Sequence, residues 1–265
     1  MIKAVILCLC LATAFALSTD GKDSRVVGGV NALPAEYPYI VSIQRTFLFV
    51  TTHLCGGSIL NNFHVITAAQ CFFSNPSGRF RVQAGKLTLN QFENTEQTVN
   101  VLMTIMHPNY TGAAMSPYDV AIVRLQSPFG YNNFIQPIVL PTLNAVPTGV
   151  VRFAGWGSTS LGLLPSTPAS LQQARVAIIP NAECQLMVGG LFPVTEGNVC
   201  LGPLTGGIGA CGGDAGGPVV QVANNQNVLV GIISWHPTPC GVPGVPSFAT
   251  HVAALNEWIQ LNSLV

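Results

Sequence analysis

The stretch VLVGIISW, residues 228–235, is dominated by β-branched and large apolar side chains. Gly231 and Ser234 interrupt it, and it is far shorter than the roughly 20 apolar residues that a bilayer core requires. Short runs of this kind, bounded by turn-forming residues, are typical of buried strands. Four similar runs predict a fold of short antiparallel strands; they cover residues 39–44, 80–84, 99–105 and 119–125.

The spacing of these runs, with no helical pattern between them, favours sandwiches or barrels over a parallel βαβ sheet. Only the end of the chain is helical in pattern, because Val252, Leu255, Trp258 and Ile259 share one face at a period of roughly 3.6 residues. A proline-rich passage at 137–147 is predicted to link two halves.

Composition excludes several classes of protein. The 265 residues include 10 Lys+Arg and 10 Asp+Glu, a net charge of +0, and only 8% are charged. An electrostatic grip on nucleic acid or on an anionic membrane is therefore not expected. With 49% hydrophobic residues, 27 Gly and 19 Pro, the chain is too apolar for disorder and too interrupted for a coiled coil.

The first residues have the pattern of a secretory signal. One lysine, Lys3, precedes an apolar run over residues 4–17, and Ala14-Phe-Ala16 is a small-x-small cleavage site. The alternative, a membrane anchor, fits poorly because the run is too short. We therefore expect a signal peptide over residues 1–16 and a soluble extracellular protein.

Removal of the signal also removes Cys8 and Cys10, so that six cysteines remain: Cys55, Cys71, Cys184, Cys200, Cys211 and Cys240. An even number in an oxidising compartment predicts disulfides. Six cysteines allow 15 pairings. Nearest-neighbour pairing closes spacings of 16, 16 and 29 residues, each worth about 3 kcal/mol in the chain-entropy model. A zinc site is the weaker alternative, because no Cys-x-x-Cys pair is present.

Several short segments occur together in one order along the chain: RVVGG at 25–29, CGGSI at 55–59, TAAQC at 67–71, DVAIV at 119–123, GWG at 155–157, CGGDAGGP at 211–218, SW at 234–235 and EWI at 257–259. In these segments the chain resembles the chymotrypsin-like serine protease family. The resemblance spans residues 25 to 260.

The resemblance implies an all-β fold of two six-stranded antiparallel β-barrels, with the cleft between them and a short C-terminal helix. A propeptide over 17–25 would precede a protease-type domain over 26–265. The N-terminal barrel is expected at about 26–136, the C-terminal barrel at about 137–250 and the helix at about 251–262.

Two residues depart from the family's catalytic pattern. Gln70 stands where the family has its general base, and Ala215 stands where it has its nucleophile; of the triad, the resemblance leaves only Asp119. Acyl transfer by this route needs a hydroxyl that can be deprotonated and an imidazole that takes and returns the proton. We therefore predict that the triad is non-functional and that no catalytic residue operates here.

Asp119 then has a structural role in our interpretation. The family geometry buries this carboxylate, and a buried carboxylate without donors costs several kcal/mol. The Gln70 amide can donate to it, and so can the hydroxyl of Ser234, which matches a family serine facing the same group.

The resemblance also implies an activation device. Cleavage after Arg25 would free the amine of Val26, which in this family pairs with the residue matched by Asp214. The backbone NH groups of Gly213 and Ala215 would form the oxyanion hole.

The implied specificity pocket has no acidic residue at its base, so any retained preference is expected for apolar or aromatic side chains. The same resemblance implies the residues that line it: Gly209, Ala210, Ser234, Trp235, His236 and Gly244. His236 stands where relatives usually have glycine.

Asn109 begins an N-glycosylation sequon, NYT. No metal or other cofactor is expected, because the pair Glu93 and Glu96 offers too few oxygens for calcium and is interpreted as solvated surface.

Three functions remain open. The first is a secreted, inactive protease homologue that acts as a monomer by binding proteins or peptides: a protease inhibitor, an active protease, or an immune or digestive partner. The second is an endopeptidase of chymotrypsin-like specificity with a non-standard site, and the third is a bulk structural or storage protein.

Overall fold

The computed structural model describes residues 28–74, 77–159, 168–190 and 192–264. The predicted signal peptide, the propeptide, Arg25 and Val26 lie outside these ranges. Strands dominate the described residues, as the sequence predicts, and no helix among them is long and apolar enough to cross a membrane.

The first barrel contains six antiparallel strands and is closed, in the order β2-β3-β4-β7-β6-β5. The strands run β2 (Ile40–Phe47), β3 (Val50–Ile59), β4 (His64–Thr67), β5 (Arg79–Ala84), β6 (Gln97–Met106) and β7 (Ala121–Leu125).

The second barrel has the strand order β9-β10-β13-β12-β11-β8 and is closed by a further pairing of β8 with β9. The strands run β8 (Val150–Gly155), β9 (Gln172–Ile179), β10 (Asn198–Gly202), β11 (Pro218–Ala223), β12 (Gln226–Trp235) and β13 (Ser247–His251). A short strand β1 (Val30–Asn31) pairs with β9, so the beginning of the described chain lies on the second barrel.

Helices within the described ranges are few and short. They are α1 (Gln70–Phe73), α2 (Asn181–Met187) and α3 (Asn256–Ser263), the last preceded by a 3-10 turn over Ala253–Leu255. The C-terminal helix thus starts five residues later than position 251 and packs Ile259 into the core.

The core supports two six-stranded barrels as the resemblance implies. Side chains such as Ile43, Ile66 and Ile122 fill the first barrel, and this cluster continues into Leu229 and Ile232 of the second. A separate cluster inside the second barrel is built on Val151, Phe153, Val199, Val219 and Ile233. The continuous core fixes the two barrels against each other.

The barrels touch where two glycines meet. A Cβ placed on Gly56 of β3 would lie 2.8 Å from the Cα of Gly217, which is closer than real Cβ contacts come. Gly56 N also donates to the carbonyl of Ala215 at 2.8 Å. This close approach brings the loop before β11 against the first barrel and positions the site described next.

The three disulfides are Cys55–Cys71, Cys184–Cys200 and Cys211–Cys240. They are the nearest-neighbour pairs, with sequence separations of 16, 16 and 29 residues. The first joins β3 to α1 and so holds the helix on which Gln70 lies.

Candidate functional site

Gln70 and Asp119 form the centre of the site. Gln70 is the first residue of α1, just after β4, and Asp119 lies two residues before β7. The backbone N–H of Gln70 donates to Asp119 Oδ1 at 2.8 Å, and its side-chain Nε2 donates to Oδ2 at 2.6 Å. The amide therefore faces the carboxylate, as the sequence predicts.

Ser234 completes this network from β12. Its Oγ donates to Asp119 Oδ2 at 2.7 Å, and its carbonyl accepts from Gln70 Nε2 at 2.6 Å. Burial raises the pKa of Asp119, whereas the hydrogen bonds from Ser234 and Gln70 oppose that shift. Both carboxylate oxygens are satisfied; among the described residues only Tyr39 and Gln172 have a buried polar side-chain atom without a partner.

Ala215 lies in the tight turn that precedes β11. Gly216, with φ +81°, donates to the Ile233 carbonyl, and a Cβ on it would lie 2.1 Å from Thr67 Oγ1. Because Thr67 ends β4 and Gln70 follows it, this turn lies beside the Gln70 network. The side chain of Ala215 is a partly exposed methyl group, which supplies no donor, acceptor or nucleophile.

The backbone around Ala215 leaves two donors unused. Within the described ranges, the N–H groups of Gly213 and Ala215 have no hydrogen-bond partner, although their neighbours do: Asp214 N donates to Cys211 O at 2.9 Å. Gly213 has φ +100°, a conformation that favours glycine. These are the two N–H groups that the resemblance assigns to an oxyanion hole.

Asp214 is fully buried between the turn and β8. Its Oδ1 accepts from Gly157 N at 2.8 Å and its Oδ2 from Cys211 N at 2.9 Å. A Cβ on Gly155 would lie 2.1 Å from the carboxylate, so only glycine leaves room for it there. Burial raises the pKa of Asp214 to about 6, and the two backbone hydrogen bonds oppose the rise. The predicted partner, Val26, lies outside the described residues.

We expect the stability of the uncleaved chain to fall as the pH rises from about 4 to about 6. The pKa of Asp214 in the folded state, about 6, exceeds its ordinary 3.8, so the folded chain retains a proton that the unfolded chain has released. Folding stability then decreases through this window by about 2 to 3 kcal/mol. Urea unfolding at a series of pH values measures it.

The matched control is Asp214→Ala, which should be less stable throughout but lose this part of the slope. The resemblance implies that cleavage after Arg25 brings the Val26 amine beside Asp214. In that case cleavage should also remove the slope, because a neighbouring cation favours the charged carboxylate. An identical slope in the original chain and the variant would show that other groups cause the pH dependence.

His53 contributes to the site in a way that sequence reasoning missed. Its Nδ1 lies 2.8 Å from Ser42 Oγ and its Nε2 lies 3.0 Å from the carbonyl of Gly213. Burial lowers the pKa of His53, which favours the neutral ring that these two contacts accommodate. The ring therefore connects β3 to the turn that contains Gly213. The contact spans 160 residues of sequence, so no local pattern could have predicted it.

The predicted specificity pocket needs one correction. Gly209 and Ala210 are buried, and Trp235 packs edge-on against Phe248. Gly244, however, lies in an exposed turn, and an added Cβ would meet no atom within 4 Å, so it does not line the wall. The residue that faces Gly209 and Ala210 is Ser247, whose Oγ accepts from Ala210 N at 3.2 Å. The stretch from 243 to 248 is irregular in sequence, so the flanking motifs alone do not decide which of its residues lines the pocket.

His236 folds over the Cys211–Cys240 disulfide. Its Nδ1 lies 3.0 Å from the Pro237 carbonyl and 3.6 Å from Cys240 Sγ. These three side chains are close enough for a metal site, but both sulfurs are already in the disulfide. They are therefore unsuited to hold an ion.

Two surface predictions have different outcomes. Asn109 is exposed after β6, where a glycan has room. Glu93 and Glu96 were interpreted as solvated surface, which is wrong: Glu96 pairs with the buried ammonium of Lys86, and Glu93 accepts from the backbone of Leu87 and Thr88. The ammonium supplies the positive charge that orders this loop.

The Trypsin family model matches residues 26–259 of this sequence. The chain belongs to the trypsin family. Trypsin-1 of Astacus astacus is 36% identical over 243 residues, which cover 90% of this chain and 100% of the relative. Serine protease 1 of Rattus norvegicus is 35% identical over 94% of this chain and 93% of its own. Trypsin II-P29 of Gallus gallus is 34% identical over 95% and 94%.

Membership of the trypsin family accounts for the two barrels and for the disulfides. The three disulfides are also consistent with an extracellular protein.

Proposed function

We propose that this trypsin-family chain is secreted, does not hydrolyse peptide bonds, and acts by binding polypeptides. The proposal rests on the side chains at positions 70 and 215 and on what they contact. Gln70 directs its amide to Asp119 and to the Ser234 carbonyl, and Ala215 offers only a methyl group.

Neither side chain can perform acyl transfer. A carboxamide does not take up and return a proton near neutral pH, and a methyl group has no lone pair with which to attack a carbonyl. Loss of either agent in a related triad costs roughly 10⁶ in turnover, equivalent to about 8 kcal/mol. Binding and an oxyanion hole alone retain a rate enhancement of roughly 10³ to 10⁴ over the reaction in water. That enhancement is too small for a working protease.

The site keeps features that suit binding. The N–H groups of Gly213 and Ala215 are unpaired among the described residues and can donate to the carbonyl of a bound peptide. Among the described residues, the atoms nearest an added Cβ on Gly209 belong to Gly241 and Ser247, neither of which is acidic, so an apolar or aromatic side chain is the expected occupant. A protease inhibitor that presents a substrate-like loop is a partner of this chemistry, and so is an active protease or another secreted protein.

The alternative function is peptidase activity, which the names of the relatives favour. It needs another nucleophile. Ser42 and His53 are hydrogen-bonded close to Gly213, but Ser42 is 0% exposed and cannot reach a substrate.

The test uses protein cleaved after Arg25, treated with a serine-directed phosphonate and with a panel of peptide substrates. We expect no covalent adduct by mass spectrometry and no turnover above the buffer rate. Active trypsin treated in parallel is the control. An adduct or turnover would establish the peptidase alternative.

A second arm measures binding of an immobilised inhibitor with a substrate-like loop. We expect a saturable one-to-one complex that is lost when a bulky side chain replaces Ala210. Absence of any such complex would favour a structural or storage role instead.

A further inference from the structure

The tip of the hairpin that joins β2 to β3 exposes four consecutive apolar side chains. Phe47 is 70% exposed, Leu48 78%, Phe49 100% and Val50 64%. Single exposed apolar residues are ordinary on protein surfaces, but a contiguous exposed group of this kind usually marks an interaction site. None of these four residues takes part in the hydrogen bonds around Gln70, Asp119 and Ser234.

The backbone conformation of the tip is also unfavourable for the residue that occupies it. Phe47 pairs with Val50, which leaves Leu48 and Phe49 as a two-residue turn. Leu48 has φ +54°, in the left-handed region that such turns normally assign to Gly, Asn or Asp. The fold gains nothing from a leucine here, since its side chain packs against no core. The residues of the tip are therefore better explained by contact with something outside the chain.

A groove of about 520 Å³ begins beside the tip, on the outside of the first barrel. Thr46, which precedes Phe47, lies in it and pairs across the sheet with Arg79. Arg81 lies in the same groove, and the exposed side chains of Leu102 and Met103 form its far side. Tip and groove are one continuous surface.

This surface carries unneutralised positive charge. No Asp or Glu lines the groove, and within the described residues no carboxylate lies within ion-pair distance of Arg79 or Arg81. Arg152, by contrast, lies near Glu36. Arg81 is also held in place, because its Nε donates to Gln44 Oε1 at 2.7 Å. Its guanidinium is thus oriented for a further acceptor.

We infer that this surface docks an acidic segment of a partner protein whose apolar side chains cover the hairpin tip. The forked donors of arginine match carboxylates, and charge complementarity in the groove selects an acidic ligand. A segment of chain can enter the groove, whereas a lipid bilayer would reach only the convex tip. The inference goes beyond the proposed function and does not depend on whether the cleft is inert.

The test is selection from a random 12-residue peptide library displayed on phage, with the full-length protein immobilised. We expect the recovered peptides to combine Asp or Glu with aromatic or large aliphatic residues. A recovered peptide, labelled with fluorescein, should bind in fluorescence polarisation and weaken at least tenfold between 50 and 500 mM NaCl, because exposed charges are screened.

Two substitutions should each weaken that peptide about tenfold or more: Phe49→Ser at the tip and Arg79→Glu in the groove. The matched controls are Leu261→Ser on α3 and Arg175→Glu on β9, which are exposed elsewhere and should change binding less than twofold. Phe49 is fully exposed, so its substitution should leave the unfolding midpoint unchanged and exclude misfolding as the cause.

The last experiment mixes the protein with vesicles of phosphatidylserine and phosphatidylcholine. We expect no sedimentation of the protein with the vesicles that depends on Phe49. The inference is wrong if the recovered peptides lack acidic residues, if both substitutions leave peptide binding unchanged, or if vesicles alone bind through Phe49. Peptidase activity at the site around Gln70 and Ala215 would contradict the proposed function but not this inference.

Discussion

The double variant Gln70→His/Ala215→Ser is expected to hydrolyse peptide bonds, whereas each single variant stays at the background rate. The double change returns both a hydroxyl and an imidazole. Asp119 is already placed to orient a ring at position 70, since it accepts from the backbone N–H of that residue and from Ser234. The gain over either single variant should be about 10³-fold or more, because these groups act as a unit.

Substrates with an apolar residue before the scissile bond should be preferred, because Gly209 and Ala210 provide no charge in the pocket. The measurement is kcat/KM on chromogenic peptides with protein cleaved after Arg25. Gln70→His/Ala215→Gly is the matched control and should remain inert. If the folded double variant shows no hydrolysis, the site no longer receives a peptide. His236 is then the first residue to replace with glycine.

The substitution Asp119→Ala should destabilise the protein by about 3 to 5 kcal/mol although we assign Asp119 no catalytic role. It removes the acceptor shared by Gln70 N, Gln70 Nε2 and Ser234 Oγ in a site where Asp119 is 1% exposed. Buried donors left without a partner carry a large desolvation penalty. Urea unfolding at neutral pH measures the loss.

Glu183→Ala is the matched control, since Glu183 is an exposed carboxylate on α2 and should change stability by less than about 0.5 kcal/mol. A loss below about 1 kcal/mol for Asp119→Ala would contradict a structural role. It would indicate that solvent can satisfy the donors at positions 70 and 234.

The strands and disulfides were accessible from the sequence because they depend on local patterns. Residues 228–235 form the end of β12, and residues 80–84 form nearly all of β5. Cysteines that are close in sequence pair with one another. The flanking motifs also single out positions 70 and 215 without any knowledge of distances, whereas the lack of catalysis there stays a prediction.

Contacts between distant segments could not be predicted from the sequence. His53 reaches Gly213 only because β3 packs against the loop before β11, and Ser247 replaces Gly244 because of an irregular turn. Lys86 satisfies Glu96 inside a loop that composition alone would place in water. In each case the partner is set by the packing of the barrels, which no single segment encodes.

The contact between Gly56 and Gly217 separates two kinds of position in this molecule. A side chain at Gly56 would push the barrels apart, whereas Gln70 is exposed and Ala215 half-buried, so that other side chains can replace them. A lineage can therefore exchange its reactive groups by two substitutions and keep the same outline. Two proteins of the same shape can in this way differ in what they do to one peptide, since the first hydrolyses it and the second only binds it.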